Sequence, residues 1–370
     1  MTAAVTLALD PLTLLDELLR IPSVTGDTDA AATRLLHRAR EAGYHAQRDG
    51  AGNLVMIWGD GPIEDEIVLL GHLDTVPGHI EVREQDGRLH GRGAVDAKGP
   101  LAAALAAVSR LPRPIGRRIT VIAACDEEGP SLGARYLRDR KPPSHLIVLE
   151  PSGWDTVTTG YRGCVRLTAT VTRQSAHHAG PHAGAADRLV AGLAELQRSL
   201  PTGGERAVDR VQVRVNTLRS NDNGTVEHAV AGIELRMPMG VAVEDIAARV
   251  AALMKEARVQ VESACDAVAV SRGNAVARAL ARGVAASGGR PRYTSKTGTS
   301  DLNVVLPRWG CDAAVYGPGD CSLDHTPHES IDIDELRRGA DVLETALRSL
   351  SSGASREFGP GAPAQRGAGS

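Results

Sequence analysis

Aromatic residues are scarce in this chain: Phe, Trp and Tyr together make up 2% of its 370 residues. An interior of this composition is filled by Leu, Val, Ile and Ala. An excess of one charge is also lacking, since 42 Lys and Arg are matched by 45 Asp and Glu, for a formal net charge of -3. Because the net charge is small, the chain has no overall positive electrostatic potential that would attract nucleic acid or an anionic membrane, so we expect neither as a partner.

Long apolar runs and paired cysteines are missing from the sequence too. Before Asp10 the longest apolar run is residues 5–9, which is too short for the hydrophobic region of a signal peptide or for a membrane span. We therefore expect a cytoplasmic protein. The five cysteines are an odd number without a C-x-x-C pair, which fits neither a disulfide framework nor a zinc site built from thiolates. We expect free thiols.

The length of the chain predicts two domains, because cores tend to divide beyond roughly 250 to 300 residues. Up to residue 160, short apolar runs alternate with helical stretches, which indicates an α/β sheet covered by helices. Strand-like alternation then opens an α+β segment, after which the earlier pattern resumes. We predict a discontinuous larger domain (1–160 and 269–350), an inserted α+β domain (161–268) and a disordered tail (351–370) rich in Gly, Ser, Ala and Pro.

Polar residues follow the apolar run 67–70 in the sequence Gly-His-Leu-Asp. His72 and Asp74 are two residues apart, so they share one face at the end of a buried strand. A ligating histidine commonly has its second nitrogen held by a carboxylate, which makes Asp74 a candidate partner for His72 in a metal site. For these two residues alone, an ordinary polar strand end is an equally good interpretation.

Three acidic residues, Asp126, Glu127 and Glu128, directly follow the apolar run 119–125. Adjacent carboxylates at the end of a buried strand repel one another unless a cation lies between them. This turn is therefore a candidate metal site. A solvated acidic turn is the alternative, because a Gly-Pro pair follows and is itself a turn signal.

Three further candidates are weaker individually. Asp96 lies in a Gly-rich stretch, residues 91–99, which lacks the spacing of a phosphate-binding or dinucleotide-binding loop and could instead cap a helix. Glu150 ends another apolar strand in the sequence Leu-Glu-Pro, and His325 lies in Leu-Asp-His-Thr-Pro. Taken alone, a strand-end Glu and a His beside Pro are more often structural than functional.

Together these motifs resemble the family of di-zinc aminoacylases, carboxypeptidases and acetylornithine deacetylases. The matching order is H-x-D, a loop Asp, D-E-E-G, L-E-P and a distant His. The resemblance covers roughly residues 10–350 and includes Gly-Tyr-Arg-Gly at 160–163 and Arg236. It implies a catalytic domain of the zinc-peptidase type, with the segment 161–268 as a lid and dimerisation domain.

The same resemblance implies a role for each candidate in a centre of two divalent metal ions, expected to be zinc, with Co²⁺ or Mn²⁺ also compatible. The implied ligands are Asp96 shared by both ions, His72 and Glu150 on one, and Glu128 and His325 on the other. Glu127 would ligate neither ion and would act as the general base. Asp74 would support the catalytic centre through His72.

The resemblance also implies a homodimer in which a histidine of one lid reaches the partner's active site. His177 matches, because His177 and Pro181 keep the H-x-x-x-P spacing, and the adjacent His178 is the alternative. Arg236 is a candidate for binding a substrate carboxylate, since Arg forms paired hydrogen bonds to that planar group. An ordinary ion pair within the lid is its alternative role.

Two segments, 296–303 and 316–327, resemble the hydrolases that release lysine or ornithine from an amino-group carrier protein in lysine and arginine biosynthesis. They imply cleavage of the amide on the α-amino group, with an acidic carrier protein as substrate. The alternatives are an N-acetyl-lysine or N-acetylornithine deacetylase, then a dipeptidase or carboxypeptidase. A non-catalytic relative is disfavoured because Glu127 and all five ligand positions are intact. Residues 298–301 could equally cap a helix.

Overall fold

The computed structural model describes residues 8–113, 115–177, 179–200 and 203–352. Nine α-helices lie within these ranges: α1 (Pro11–Leu19), α2 (Asp29–Glu41), α3 (Lys98–Ser109), α4 (Leu132–Arg138), α5 (Ala185–Ser199), α6 (Val243–Leu253), α7 (Ala275–Ala286), α8 (Asp301–Trp309) and α9 (Ile333–Ser352). Helix α1 begins at Pro11 because the Asp10 carboxylate accepts a hydrogen bond from the backbone N–H of Thr13 at 2.9 Å and caps the helix.

Sixteen β-strands lie in the same described ranges. They are β1 (His45–Arg48), β2 (Leu54–Trp58), β3 (Ile67–His72), β4 (Arg83–Gln85), β5 (Arg88–His90), β6 (Ile119–Ala124), β7 (His145–Val148), β8 (Thr156–Tyr161), β9 (Gly163–Gln174), β10 (Gln212–Asp222), β11 (Val226–Met237), β12 (Arg258–Cys265), β13 (Val268–Ala269), β14 (Arg292–Lys296), β15 (Asp312–Val315) and β16 (Ser330–Asp332). Short 3-10 helices occupy Ile63–Asp65, Ala207–Asp209 and Cys321–Leu323.

The largest sheet is mixed, with the strand order β1-β2-β6-β3-β7-β15-β8-β13 and with β14 paired to β8. Strands β3, β6, β7 and β15 run parallel, whereas β1 and β2 are antiparallel to their neighbours. Every residue of β3 and β6 is buried, which requires cover on both faces. Helices α1, α2, α3, α7 and α9 pack on one face, and α4 and α8 on the other. The predicted mixed sheet flanked by helices is confirmed.

The parallel strands of this sheet bring their carboxyl ends to one edge. His72 at the end of β3 is paired in register with Ala124 at the end of β6, and Leu70 of β3 is paired with Val148 at the end of β7. Loops that leave such an edge commonly carry function, because a rigid sheet positions them. The acidic turn after β6 and Glu150 after β7 therefore lie close to His72.

A second sheet contains the four antiparallel strands β10-β11-β9-β12. Alternate residues of these strands pack with α5 and α6 into a separate apolar cluster, as expected for a sheet with one covered face. The chain enters this sheet after β8 and returns to the larger sheet at β13. That the segment 161–268 acts as a lid and dimerisation domain stays a prediction.

A third sheet, β16-β5-β4, lies next to the segment that carries His325. Ser351 and Ser352 end α9, and the rest of the predicted tail, 353–370, lies outside the described residues. In the part of the chain that the structure describes, no helix has both the length and the apolar character needed to cross a membrane.

Candidate active site

Six of the residues singled out in the sequence converge at the carboxyl edge of the larger sheet. They form two groups, and within each group the nitrogen or oxygen atoms that could hold a metal ion lie within 4.8 Å of one another. The groups are His72, Glu127 and Glu150, and Asp96, Glu128 and His325. Imidazole nitrogens and carboxylate oxygens are the donors that catalytic zinc accepts, and Co²⁺ or Mn²⁺ would also fit them.

Asp96 belongs to the second group and also contacts the first. Its Oδ1 is 3.1 Å from His72 Nε2, and its Oδ2 is 3.1 Å from His325 Nε2. His325 Nε2 also lies 3.0 Å from Glu128 Oε1. Each oxygen of one carboxylate thus faces a different group, which is the arrangement required of a carboxylate shared by two ions.

Glu127 and Glu150 complete the group around His72. Oε2 of Glu127 lies 4.0 Å from His72 Nε2, and Oε1 of Glu150 lies 3.8 Å from the same nitrogen. Glu127 is therefore as near to this group as a ligand would be, although the family resemblance implies that it binds no ion.

The carboxyl groups of the site are crowded in a buried place. Burial raises the pKa of Glu127 well above 4.5, with a further contribution from Glu150. Burial and the charge of Asp96 raise the pKa of Glu150 to about 8, and the same two causes raise the pKa of Asp324 to about 8. Negative charge concentrated in this way is offset by divalent cations, so the electrostatics of the site fit two metal ions.

Hydrogen bonds between opposite charges shift the other groups. The Asp96 and Glu128 carboxylates raise the pKa of His325 to about 10. Burial opposes the charged form of His72, but hydrogen bonds to Asp74 and Asp96 raise its pKa well above 6.5. Burial likewise opposes the charged form of Asp96, yet its bonds to His325 and His72 lower its pKa. Asp96 is therefore the anion on which both histidines converge.

Asp74 supports the site through two different contacts. The backbone carbonyl of Asp74 lies 2.9 Å from His72 Nδ1, whereas its carboxylate Oδ1 is 3.6 Å away. The carboxylate instead accepts hydrogen bonds from the backbone N–H groups of Glu127 and Glu128, at 3.3 Å and 3.1 Å, and from the Thr25 hydroxyl at 2.8 Å. The sequence predicts that the carboxylate orients His72; in the structure the carbonyl is closer, and the carboxylate holds the acidic turn.

Glu329 is a supporting residue that the sequence analysis does not identify. Its side chain is 1% exposed, and Oε1 accepts hydrogen bonds from the backbone N–H groups of Gly93, Val95 and Asp96 at 2.9 to 3.1 Å. Oε2 accepts from Arg92 Nη1 at 2.6 Å. The only signal in the sequence was its place four residues after His325, and an isolated Glu at that distance carries no specific prediction.

Two of the loops that carry candidate metal-binding residues contain a non-glycine residue with left-handed backbone conformation. Asp126, at the start of the acidic turn, has φ 59°, and His325 has φ 60°. Such conformations cost energy in residues other than glycine and are concentrated at functional sites. Here they turn the chain sharply at the two loops that bring Glu128 and His325 together.

Five of the six residues, Asp96, Glu127, Glu128, Glu150 and His325, line a cavity of about 590 Å³, with walls formed by both larger sheets. Arg236 of β11 lines it, and the ion pair considered as its alternative role is present, with Glu234 at 2.9 Å. Arg236 Nη1 also donates to the Thr299 hydroxyl at 3.1 Å. His177 is exposed and is not among the described lining residues, whereas His178 lies outside the described residues.

Residues 298–301 do cap a helix, which was one of their two interpretations. The Ser300 hydroxyl accepts a hydrogen bond from the backbone N–H of Leu302 at 3.3 Å and begins α8. Thr297, Gly298, Thr299 and Ser300 also line the cavity. Capping and a place in the cavity wall therefore coexist in this segment.

Comparisons with known proteins agree with this geometry. The model of peptidase family M20/M25/M40 matches residues 68–349. The LysW-lysine hydrolase of Deinococcus radiodurans is 40% identical over 354 residues, which cover 92% of this chain and 97% of that protein. A tripeptidase of Staphylococcus aureus has a similar fold, with a TM-score of 0.77 at 18% identity, over 93% of this chain and 100% of that one. An M20 metallo-carboxypeptidase of Sulfolobus solfataricus is similar in fold, with a TM-score of 0.76 at 15% identity, over 93% of this chain and 99% of that one. The chain belongs to peptidase family M20/M25/M40, whose enzymes act on amide bonds.

Proposed function

We propose that this enzyme hydrolyses the amide on the α-amino group of lysine or ornithine and thereby releases the amino acid from an amino-group carrier protein. The observation that carries the chemistry is the pair of metal-binding groups joined by Asp96, with Glu127 beside them. The identity of 40% to a LysW-lysine hydrolase over 92% of the chain supports the choice of substrate. A biosynthetic role in the cytoplasm goes with this proposal.

Two divalent ions, which we propose to be Zn²⁺, suit the two groups of ligands. Asp96 would be shared, His72 and Glu150 would hold one ion, and Glu128 and His325 the other. When bound, such ions acidify water and polarise the amide carbonyl. The protein's own contribution is to hold these donors in place. The Asp74 carboxylate does so by accepting a hydrogen bond from the backbone of Glu128, and the buried Glu329 does so by accepting one from the backbone of Asp96.

Glu127 is the residue to which we assign proton transfer. It takes a proton from the attacking water and returns it to the amine that leaves, so one carboxylate serves as base and then as acid. Its buried position raises its pKa well above 4.5, which favours a group that must hold a proton between the two steps. The hydrogen bond from its backbone N–H to Asp74 keeps the turn in place during this exchange.

A homodimer would complete the site. His177 is exposed in its own chain and does not line that chain's cavity, so it is free to reach the cavity of a partner. There it would donate a hydrogen bond to the oxyanion that develops on the amide carbonyl, a contribution of roughly 10² to 10³ in rate for one such donor. Arg236, which lines the cavity of its own chain, would bind a carboxylate of the substrate there.

The test compares three substrates: lysine linked to its carrier protein, N-acetyl-lysine and N-acetylornithine. Mass spectrometry would follow release of the free amino acid, with Glu127→Gln as the inactive control. We expect the carrier-linked substrate to have the highest kcat/KM. Its kcat/KM should fall as salt is added, because exposed arginines of the inserted domain, such as Arg210, Arg214 and Arg219, would attract an acidic carrier and salt screens that attraction. Equal or better cleavage of the acetylated amino acids, without salt dependence, would make the enzyme a deacetylase instead.

A further inference from the structure

Two polar residues that neither belong to the two groups of candidate metal-binding residues nor form hydrogen bonds with them lie side by side in the wall of the active-site cavity. Tyr161 ends β8 and Lys296 ends β14, and the two are register partners in the parallel pairing of these strands. Both line the cavity of about 590 Å³ that contains Glu127 and Glu150. Their backbones lie in the larger sheet, so the position of the pair is fixed by strand pairing rather than by a flexible loop.

The hydroxyl of Tyr161 is buried and poorly satisfied. The residue is 4% exposed, and its oxygen has no well-formed hydrogen bond to any part of the chain that the structure describes. Burial raises the pKa of the phenol well above 10, and only the nearby Ser300 side chain, among hydrogen-bonding groups, opposes that rise. Buried phenol groups almost always bond to something, because an unmet O–H in a protein interior loses the hydrogen bonds that water would supply. A group that binds in the cavity would satisfy this hydroxyl.

Lys296 is a cation without an ion pair. Its Nζ lies 6.0 Å from the centre of the Tyr161 ring, and it forms no hydrogen bond or ion pair with another described residue. Its charge acts on Glu150 and Asp324 from a distance. Arg236 differs, since its guanidinium already bonds to Glu234 and to Thr299.

We propose that Lys296 and Tyr161 form a carboxylate-binding subsite of the cavity, separate from Arg236 and adjacent to the group of His72, Glu127 and Glu150. The ammonium of Lys296 and the phenolic O–H of Tyr161 are both hydrogen-bond donors, and a carboxylate accepts from both. The inference rests on the proposed function, amide hydrolysis on an amino acid. The carboxylate belongs either to the amino acid that is released or to the acyl group.

Pairs of small substrates distinguish the two sources. N-acetyl-lysine and N-acetyl-lysinamide differ only in the carboxylate of the released part, whereas N-succinyl-lysine and N-butyryl-lysine differ in a carboxylate on the acyl part. For the member that carries the bound carboxylate, Lys296→Met should lower kcat/KM roughly 10- to 100-fold, as expected for a bond between charged groups. Tyr161→Phe should lower it roughly 3- to 10-fold. Both losses should lie mainly in KM, and the member of that pair that lacks the bound carboxylate should be unaffected.

Matched variants separate recognition from folding. Lys141→Met removes an exposed lysine that pairs with Glu64 outside the cavity and should change none of these values. Lys296→Arg keeps the charge and should recover most of the lost affinity. Within each pair, an equal loss for the member that has the extra carboxylate and for the member that lacks it would overturn the subsite, as would no loss for any compound.

A binding measurement makes the subsite testable apart from turnover. In a Glu127→Gln background, calorimetric titration with N-succinyl-lysine, which carries both carboxylates, should give a dissociation constant that rises roughly 10- to 100-fold when Lys296→Met is added. The dissociation constant of N-acetyl-lysine should rise by the same factor only if the bound carboxylate is that of the amino acid. If the wild-type enzyme cleaves no amide of lysine, the proposed function fails while this titration still decides the subsite. If cleavage occurs but the dissociation constants are unchanged by Lys296→Met, only the subsite fails.

Discussion

The backbone N–H of Asp96 donates a hydrogen bond of 3.1 Å to the buried carboxylate of Glu329. Because Glu329 follows His325 by four residues, this bond ties the loop that carries Asp96, the proposed shared ligand, to the segment that carries His325, a proposed ligand of one ion. The same carboxylate is held by Arg92. Asp96 can present one oxygen to each histidine only while its loop is fixed, so Glu329 positions the centre without entering it.

Two substitutions of Glu329 should distinguish the effect of losing its negative charge from the effect of losing the whole side chain. Glu329→Ala leaves the Arg92 guanidinium and three backbone N–H groups without their acceptor, so we expect the free energy of unfolding to fall by about 3–5 kcal/mol. Glu329→Gln keeps one acceptor oxygen and should lose less. Urea denaturation and measurement of bound metal would check both variants.

The control for this prediction is Glu64→Ala, since Glu64 is an exposed residue that pairs with Lys141. Its stability and metal content should match those of the wild type. A Glu329→Ala protein with unchanged metal content and unchanged stability would show that the Asp96 loop does not depend on this carboxylate.

Glu127→Gln tests the assignment of the general base. The substitution keeps the size of the side chain and the backbone hydrogen bond to Asp74, but an amide cannot accept and return the proton. We expect kcat to fall by roughly 10² to 10⁴, with two metal ions still bound and with an unchanged melting temperature. Turnover at the wild-type rate would remove Glu127 from the mechanism, and loss of one metal ion would make it a ligand instead.

Removal of metal should affect both activity and stability. Chelation is expected to abolish turnover, and Zn²⁺ or Co²⁺ should restore it. The melting temperature should also fall, because ions that bind only the folded chain stabilise it by mass action, and because Glu150 and Asp96 are close enough to repel. Scanning calorimetry with and without added metal would measure the shift. Full activity in protein without detectable metal would contradict the two-metal centre.

The sequence predicted those parts of the fold that bury apolar residues in regular patterns. Strands β3 and β6 were clear from the continuous apolar runs 67–70 and 119–125. Strands β12 and β14 were not identified, because several of their residues are exposed and their polar side chains leave no alternating pattern. Helix α2 was also missed, since its sequence Asp29–Glu41 mixes charged and small residues and begins without a side-chain cap.

The residues of the candidate site that could be predicted are those that lie at the ends of strands. His72, Glu128 and Glu150 follow three neighbouring parallel strands, so their meeting follows from the sheet alone. Asp96 and His325 needed the family resemblance, because loops carry them. The Lys296 and Tyr161 pair could not be found in the sequence, since it depends on the register between β8 and β14, which joins residues far apart in the chain.

Mixing two inactive variants tests whether the site is completed by a partner. His177→Ala should lack the donor that each chain supplies to the other, and Glu127→Gln lacks the base of its own site. In a mixed dimer, one of the two sites combines the intact Glu127 of the first chain with the intact His177 of the second. Random mixing in equal amounts should therefore restore roughly a quarter of wild-type activity.

The mixing experiment needs its own controls, because His178 is adjacent to His177. His178→Ala should remain active alone if His177 is the donor, and the reverse result would transfer the role to His178. Light scattering should establish the dimer, and tagged chains should verify that mixed dimers form. Since neither parent protein can supply both groups to one site, any activity above that of the two parents must come from a site built by two chains. Verified mixed dimers without such activity would place the whole site within one chain.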